Sequence, residues 1–112
     1  MNIGVNFLNT KTMKGNFNDI ISGEKLVLID FYAEWCGPCK AQSPIIEDLA
    51  KSINDKIRIL KIDVDKNQPL AQKYQVRGVP TLALFKKGNI VWRASGVHSK
   101  EQLQQIIQQN LN

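Results

Sequence analysis

The sequence is poor in the residues that staple or metallate small domains. It has two cysteines and one histidine, His98, in 112 residues. Two cysteines are too few for a disulfide scaffold. A structural zinc site needs about four ligands, usually with a second Cys or His pair. The longest aliphatic stretch, residues 26–29, ends at Asp30, far short of the roughly 20 apolar residues that cross a bilayer. Residues 1–8 have neither a basic flank nor a long apolar stretch. No cleaved secretory signal is expected there, and the expected compartment is the cytoplasm. No internal repeat, linker or composition shift divides the chain.

Charge is also without strong pattern. The net value of +5 comes from 15 basic against 10 acidic side chains, but Lys11, Lys14, Lys40, Lys51, Lys56, Lys86 and Lys87 are scattered. No block of about five like charges occurs. Neither a nucleic-acid nor a membrane partner is expected, and the lysines read as a solvated surface. With 43% hydrophobic and 22% charged residues, the composition suits one globular domain, residues 1–112, that buries a single core.

The apolar pattern alternates between strand and helix periods. Val5, Phe7 and Leu8 suggest a short first strand. Phe17, Ile20 and Ile21 then lie at helical spacing, with Asn16 as a cap and Gly23 as a stop. Residues 26–33 form an apolar run broken only by Asp30, which favours a central strand buried on both faces. Ile45, Ile46, Leu49 and Ile53 mark one stripe of a long helix in which Pro44 should produce a kink. Residues 57–64 read as a third strand. A short helix starting at Pro69 follows, with Leu70, Ala71 and Tyr74. Residues 81–85 and 90–94 are strands joined by Lys86-Lys87-Gly88-Asn89, a hairpin signal. Ser99 and Gln102 form a capping box opening a last helix with Leu103, Ile106, Ile107 and Leu111 on its core face. The order β-α-β-α-β-α-β-β-α implies an α/β fold. Early strands joined through helices are parallel, and the late hairpin adds an antiparallel edge to one mixed sheet.

The two cysteines sit together as Cys36-Gly37-Pro38-Cys39. Pro38 favours the first turn of a helix, so Cys36 stands at a helix N-terminus. There, unpaired N–H groups and the helix dipole stabilise a thiolate. Cys39 follows one turn later, within the Cα separation a disulfide permits. One thiol is expected to be exposed and acidic, the other sheltered beneath it. Half a zinc site and a pair of inert core thiols are the competing readings. The first lacks further ligands, and Trp35, Gly37 and Pro38 make a poor buried helix start for the second.

Asp30 shares a strand face with Leu26 and Leu28. Burial raises a carboxyl pKa, which suits the group to proton transfer near neutrality; the plain alternative is a surface aspartate at a strand end. Lys61, in the third strand, is a candidate counter-charge or else a snorkelling surface lysine. His98 reads as an exposed loop residue and Trp92 as core or edge packing. Val79-Pro80 precedes a strand, and its spacing alone favours an ordinary trans bond.

Residues 27–40, VLIDFYAEWCGPCK, and residues 77–85, RGVPTLALF, resemble the thioredoxin family, and the element order agrees from about Phe7 onward. The resemblance implies a central five-stranded mixed sheet flanked by four helices. It implies a thiol-disulfide oxidoreductase that reduces protein disulfides: Cys36 as nucleophile, Cys39 as resolving thiol, Asp30 in proton transfer and Lys61 modulating it. Pro80 matches the family's cis-proline. Trp35, Gly37, Pro38, Val64, Gly78, Val79, Pro80, Gly96 and Val97 match its substrate-docking surface. The family binds no cofactor or metal beyond the redox-active disulfide, here Cys36–Cys39. Its members are reduced by an NADPH-using flavoprotein, thioredoxin reductase. Their clients are disulfide-containing proteins, among them reductases and peroxidases, and a monomer is expected. The chain departs from common usage in its basic charge, in Tyr32 where tryptophan is frequent, and in Ser95 before Gly96. Two other functions remain to be weighed: a thiol oxidase or isomerase of an exported compartment, and a docking subunit using the same fold.

Overall fold

A computed structural model describes residues 7–10, 17–53 and 55–111. Val5 and Asn16, expected in the first strand and as a helix cap, lie outside the described residues. The elements are β1 (Phe7–Thr10), α1 (Phe17–Ile21), β2 (Leu26–Tyr32), α2 (Gly37–Ser52), β3 (Ile57–Asp63), α3 (Gln68–Lys73), β4 (Thr81–Lys86), β5 (Asn89–Ser95) and α4 (Lys100–Asn110). They follow the order read from the sequence.

The five strands form one sheet in the order β1-β3-β2-β4-β5. β1 and β2 each pair with β3 in parallel, while β4 runs antiparallel to both β2 and β5. β2 is therefore central, with hydrogen-bonded neighbours on both sides. Side chains of a strand alternate between faces, and β2 divides accordingly. Leu26 and Leu28 pack with Ile46 and Leu49 of α2 and Leu103 and Ile107 of α4. Val27, Ile29 and Phe31 pack on the opposite face with Phe17 and Ile21 of α1. A strand covered on both faces has no solvent-facing row, which explains its unbroken apolar reading.

α2 runs on through Pro44 as one 16-residue helix. Its stripe is narrower than the spacing implied: Ile46 and Leu49 are fully buried, whereas Ile45 and Ile53 are partly exposed. Replacing Leu49 by alanine removes a side chain from the tightest part of this layer. The expected cost is about 3 kcal/mol, from lost transfer energy plus the cavity left behind, measurable as a lower urea midpoint.

The β4–β5 hairpin turns at Lys87 and Gly88, with φ of 51° and 86°. Two consecutive left-handed residues match the right-handed twist of a tight hairpin, and glycine adopts that conformation without penalty. The Gly88 N–H also donates to the Ile21 carbonyl. α4 opens with the expected capping box, Ser99 and Gln102 each accepting from the other's backbone N–H.

Candidate active site

The C-terminal ends of β2 and β3 and the N-terminal end of β4 meet at one edge of the sheet. β2 ends at Tyr32, and Ala33-Glu34-Trp35 leads into α2. Cys36 caps that helix in an extended conformation (φ −87°, ψ 118°), and its Sγ accepts from the Cys39 N–H at 3.1 Å. An N–H aimed at sulfur, at the positive end of a 16-residue helix, favours a thiolate over a thiol when the bond is open. Cys36 and Cys39 form a disulfide, with Cα atoms 5.3 Å apart.

The expected asymmetry between an exposed and a sheltered cysteine is absent in this oxidised form. The two residues are 3% and 4% exposed. The loop before β4 explains the cover over Cys36. The Val79–Pro80 bond is cis, not the trans bond favoured by spacing alone, and the Val79 carbonyl oxygen lies 3.6 Å from Cys36 Sγ. Ala33, Val64 and Val79 pack around the pair.

Three loops form the rim. Trp35 is 71% exposed, and its indole Nε1 donates to Asp65 Oδ2 at 2.8 Å. Asp63 holds that second loop: its Oδ1 accepts from the backbone N–H groups of Asp65 and Lys66, and Asn67 Nδ2 donates to its carbonyl. The third loop is tied to the cis-proline segment, because the Gly96 N–H donates to the Pro80 carbonyl at 2.9 Å. Thr81 Oγ1 steadies the same corner, donating to the Gly78 carbonyl at 2.6 Å. Gly37, Pro38, Gly78, Gly96 and Val97 are exposed, Val64 and Val79 are partly covered, and Pro80 is buried.

Asp30 is buried completely and stands beside Lys61 in the β2–β3 register. Neither of its carboxyl oxygens has a hydrogen-bond partner among the described residues. Desolvation pushes its pKa up from 3.8 to about 7, and the positive charge of Lys61 limits the rise. The surface alternative for both residues is thereby corrected, since Lys61 is itself only 8% exposed. Its ammonium donates to the Ser43 hydroxyl and lies 4.9 Å from the centre of the Tyr32 ring. A cleft of about 170 Å³, lined by Tyr32, Ala33, Glu34, Cys39, Lys40, Ser43 and Lys61, opens beside Cys39. Two larger clefts, of about 360 and 390 Å³, lie elsewhere and contain none of these residues.

His98 is not the exposed loop residue expected. It is half-buried, with its ring edge-on to Trp92 at 5.4 Å and its Nδ1 2.9 Å from the Gly96 carbonyl oxygen. Sequence reasoning also passed over Gln42, Ser43, Asp63 and Asp65. Gln42 left a readable signal, a polar residue on the stripe of Ile46 and Leu49. Asp63 left a local one, an aspartate whose carboxylate accepts from backbone N–H groups two and three residues on, as turn-forming aspartates do. Ser43 and Asp65 left none, because their partners Lys61 and Trp35 come from other segments of the chain.

A family model described as Thioredoxin matches residues 9–109. The chain belongs to the thioredoxin family. It is 46% identical over 90 residues to the thioredoxin of Bacillus subtilis (strain 168), covering 80% of this chain and 86% of that one. It is 45% identical over 102 residues to the thioredoxin of Staphylococcus saprophyticus, covering 90% and 96%. Among solved structures, a mutant thioredoxin from Halobacterium salinarum NRC-1 superposes with a TM-score of 0.84 at 39% identity, covering 96% of this chain and 93% of that one. The Malassezia sympodialis thioredoxin Mala s 13 gives 0.83 at 33% identity, covering 95% and 91%.

As a thioredoxin-family protein, the chain is a thiol-disulfide oxidoreductase that reduces protein disulfides, and its redox centre is the Cys36–Cys39 pair. The competing zinc reading has no geometric support: no group of three His, Cys, Asp or Glu side chains among the described residues is placed to hold a metal. No helix among them is long and apolar enough to cross a membrane.

Proposed function

We propose that the chain acts as a single thioredoxin domain of the cytoplasm, reduced by an NADPH-fed flavoprotein reductase and oxidised by disulfide-containing client proteins. The observation that carries this reading is the Cys36 sulfur at the start of α2, accepting the Cys39 N–H beside the Val79 carbonyl.

In the reduced protein Cys36 is the nucleophile. Its thiolate attacks one sulfur of a client disulfide, forming a Cys36–client bond and expelling the other client sulfur as a thiolate, which takes up a proton. Cys39 then loses its proton and attacks Cys36 Sγ. The Cys36–Cys39 bond forms, and the second client sulfur leaves as a thiolate and is protonated. Two electrons have moved from the protein to the client, and the product is the oxidised form described above.

Asp30 is the group suited to accept the Cys39 proton. A carboxyl with a pKa near 7 takes and returns a proton at neutral pH with little driving-force penalty. Lys61 tunes it through charge, and a cleft lined by Lys61 and Cys39 opens beside them. Trp35, Gly37, Pro38, Val64, Gly78, Val79, Pro80, Gly96 and Val97 form the docking surface. An extended client segment lies along it, and backbone contacts ask little of client sequence. Exposed Trp35 and Val97 supply apolar contact.

Equilibration of the pair with glutathione buffers tests the direction of the chemistry. A reductase role requires a potential below about −240 mV, within the range of the cytosolic glutathione poise. Gly37-Pro38 between the cysteines matches the reducing members of the family. A value near about −120 mV, the range of a disulfide-forming oxidase, would overturn the reading in favour of an oxidising role.

A further inference from the structure

Gln42 is a polar side chain with no exposed surface, set in the middle of the apolar face of α2. It is one turn beyond Cys39, yet its side-chain amide bonds to His98 and not to the cysteines. Its amide reaches across the sheet end to the loop between β5 and α4. Nε2 donates to the His98 carbonyl at 3.0 Å, and Oε1 accepts from the His98 N–H at 2.8 Å. Both ends of one primary amide are thus matched to both polar groups of one peptide residue, in the way a neighbouring strand would match them.

The bond pair has consequences for the loop it holds. Gly96, with φ of 90°, and Val97, 45% exposed, immediately precede His98. On the other side the Gly96 N–H is anchored to the Pro80 carbonyl. The short segment from Gly96 to His98 is therefore pinned at one end to the cis-proline loop and at the other to the helix that bears the cysteines. A buried apolar residue at position 42 would fill the same space and leave the His98 N–H and carbonyl without these partners. Burial of a glutamine at a core position costs desolvation that only such pairing offsets.

We infer that Gln42 is a positioning residue for client docking: by clamping His98 it fixes Val97 in register with the Cys36–Cys39 pair, so that a protein disulfide is presented to Cys36. The clamp acts on recognition of extended clients and leaves the sulfur chemistry alone. This rests on the docking role proposed for Val97.

The discriminating experiment compares protein and small-molecule disulfides. With the Gln42→Leu protein, KM for a protein disulfide such as insulin rises about fivefold while kcat stays within about twofold, the pattern of lost binding without lost transition-state chemistry. Reduction of a small aromatic disulfide and the equilibrium constant with glutathione both stay within about twofold of the parent, because neither depends on the loop. Leu49→Ala, which loosens the same helix without touching His98, leaves the KM for insulin unchanged. Equal losses for insulin and the small disulfide, or an unchanged insulin KM, would overturn the inference.

Val97→Asp separates this outcome from failure of the docking reading. If Val97→Asp raises the insulin KM and Gln42→Leu does not, the clamp is irrelevant to docking. If neither changes it, the docking role of the loop is wrong as well. Should Gln42→Leu fail to fold, amide exchange in the unaltered protein decides the matter. The His98 N–H must exchange at least about tenfold more slowly than that of Val97, and equal rates would overturn the clamp.

Discussion

Replacing Cys36 by serine lowers the rate of protein-disulfide reduction by about 10⁴-fold or more, while replacing Cys39 by serine leaves the first step and stops the second. The two outcomes differ because the cysteines hold different places at the start of α2. Cys36 Sγ is the helix cap, receiving the Cys39 N–H at 3.1 Å, and only an ionised sulfur there is a competent nucleophile. A serine hydroxyl stays protonated at neutral pH, so the loss is that of a covalent nucleophile. With Cys39→Ser, the thiolate of Cys36 still attacks, but nothing within the protein resolves the product. A covalent adduct of protein and client therefore accumulates. Mass spectrometry under non-reducing conditions detects it, and dithiothreitol dissolves it. Adducts formed by Cys36→Ser and not by Cys39→Ser would reverse the assignment of nucleophile and resolving thiol.

The second large effect concerns Asp30, and it appears in stability as well as in rate. Its pKa rises from 3.8 to about 7 in the folded protein, so the native state holds this proton more tightly than the unfolded chain does. The contribution is therefore most favourable at low pH and is lost as pH rises through about 7. Above that value an ionised, desolvated carboxylate weakens the fold by about 4 kcal/mol. Asp30→Ala removes the burden. Its stability advantage over the parent grows by about 3 kcal/mol between pH 5 and pH 9, read from urea midpoints at each pH. A constant difference across that range would show that Asp30 does not titrate where its burial requires. The same substitution slows client release by about 10²-fold at pH 7, the scale of a lost general base. It also removes the rate inflection near neutrality. Stability and activity thus move in opposite directions, as expected where a buried charge is kept for chemistry.

The legible parts of this protein were those governed by neighbours along the chain. β2 announced itself as a strand covered on both faces, because alternate residues had to meet apolar layers above and below. Ser99 and Gln102 announced the start of α4, because a capping box closes within four residues. The Cys-Gly-Pro-Cys segment carried its own helix start and its own sulfur pairing. Asp30 was visible as a misfit, since a carboxylate within an apolar strand is costly wherever the strand is buried.

The features that the chain order could not reveal join segments distant in sequence. The state of the Val79–Pro80 bond, the cover over Cys36 and the hold of Asp65 on Trp35 all arise where three loops converge at one end of the sheet. Lys61 looked like a surface residue because a lysine in a strand snorkels by default; its burial depends on Tyr32 and Ser43 arriving from β2 and α2. Gln42 and His98 are 56 positions apart; Gln42 stood out only as a polar residue on an apolar stripe, and nothing in the sequence named His98 as its partner. Periodicity reports which face a residue occupies and capping reports where a helix begins, because both act within a turn or two. A hydrogen bond across the sheet end depends on how those faces are brought together, and that is decided only by the packing of the whole fold.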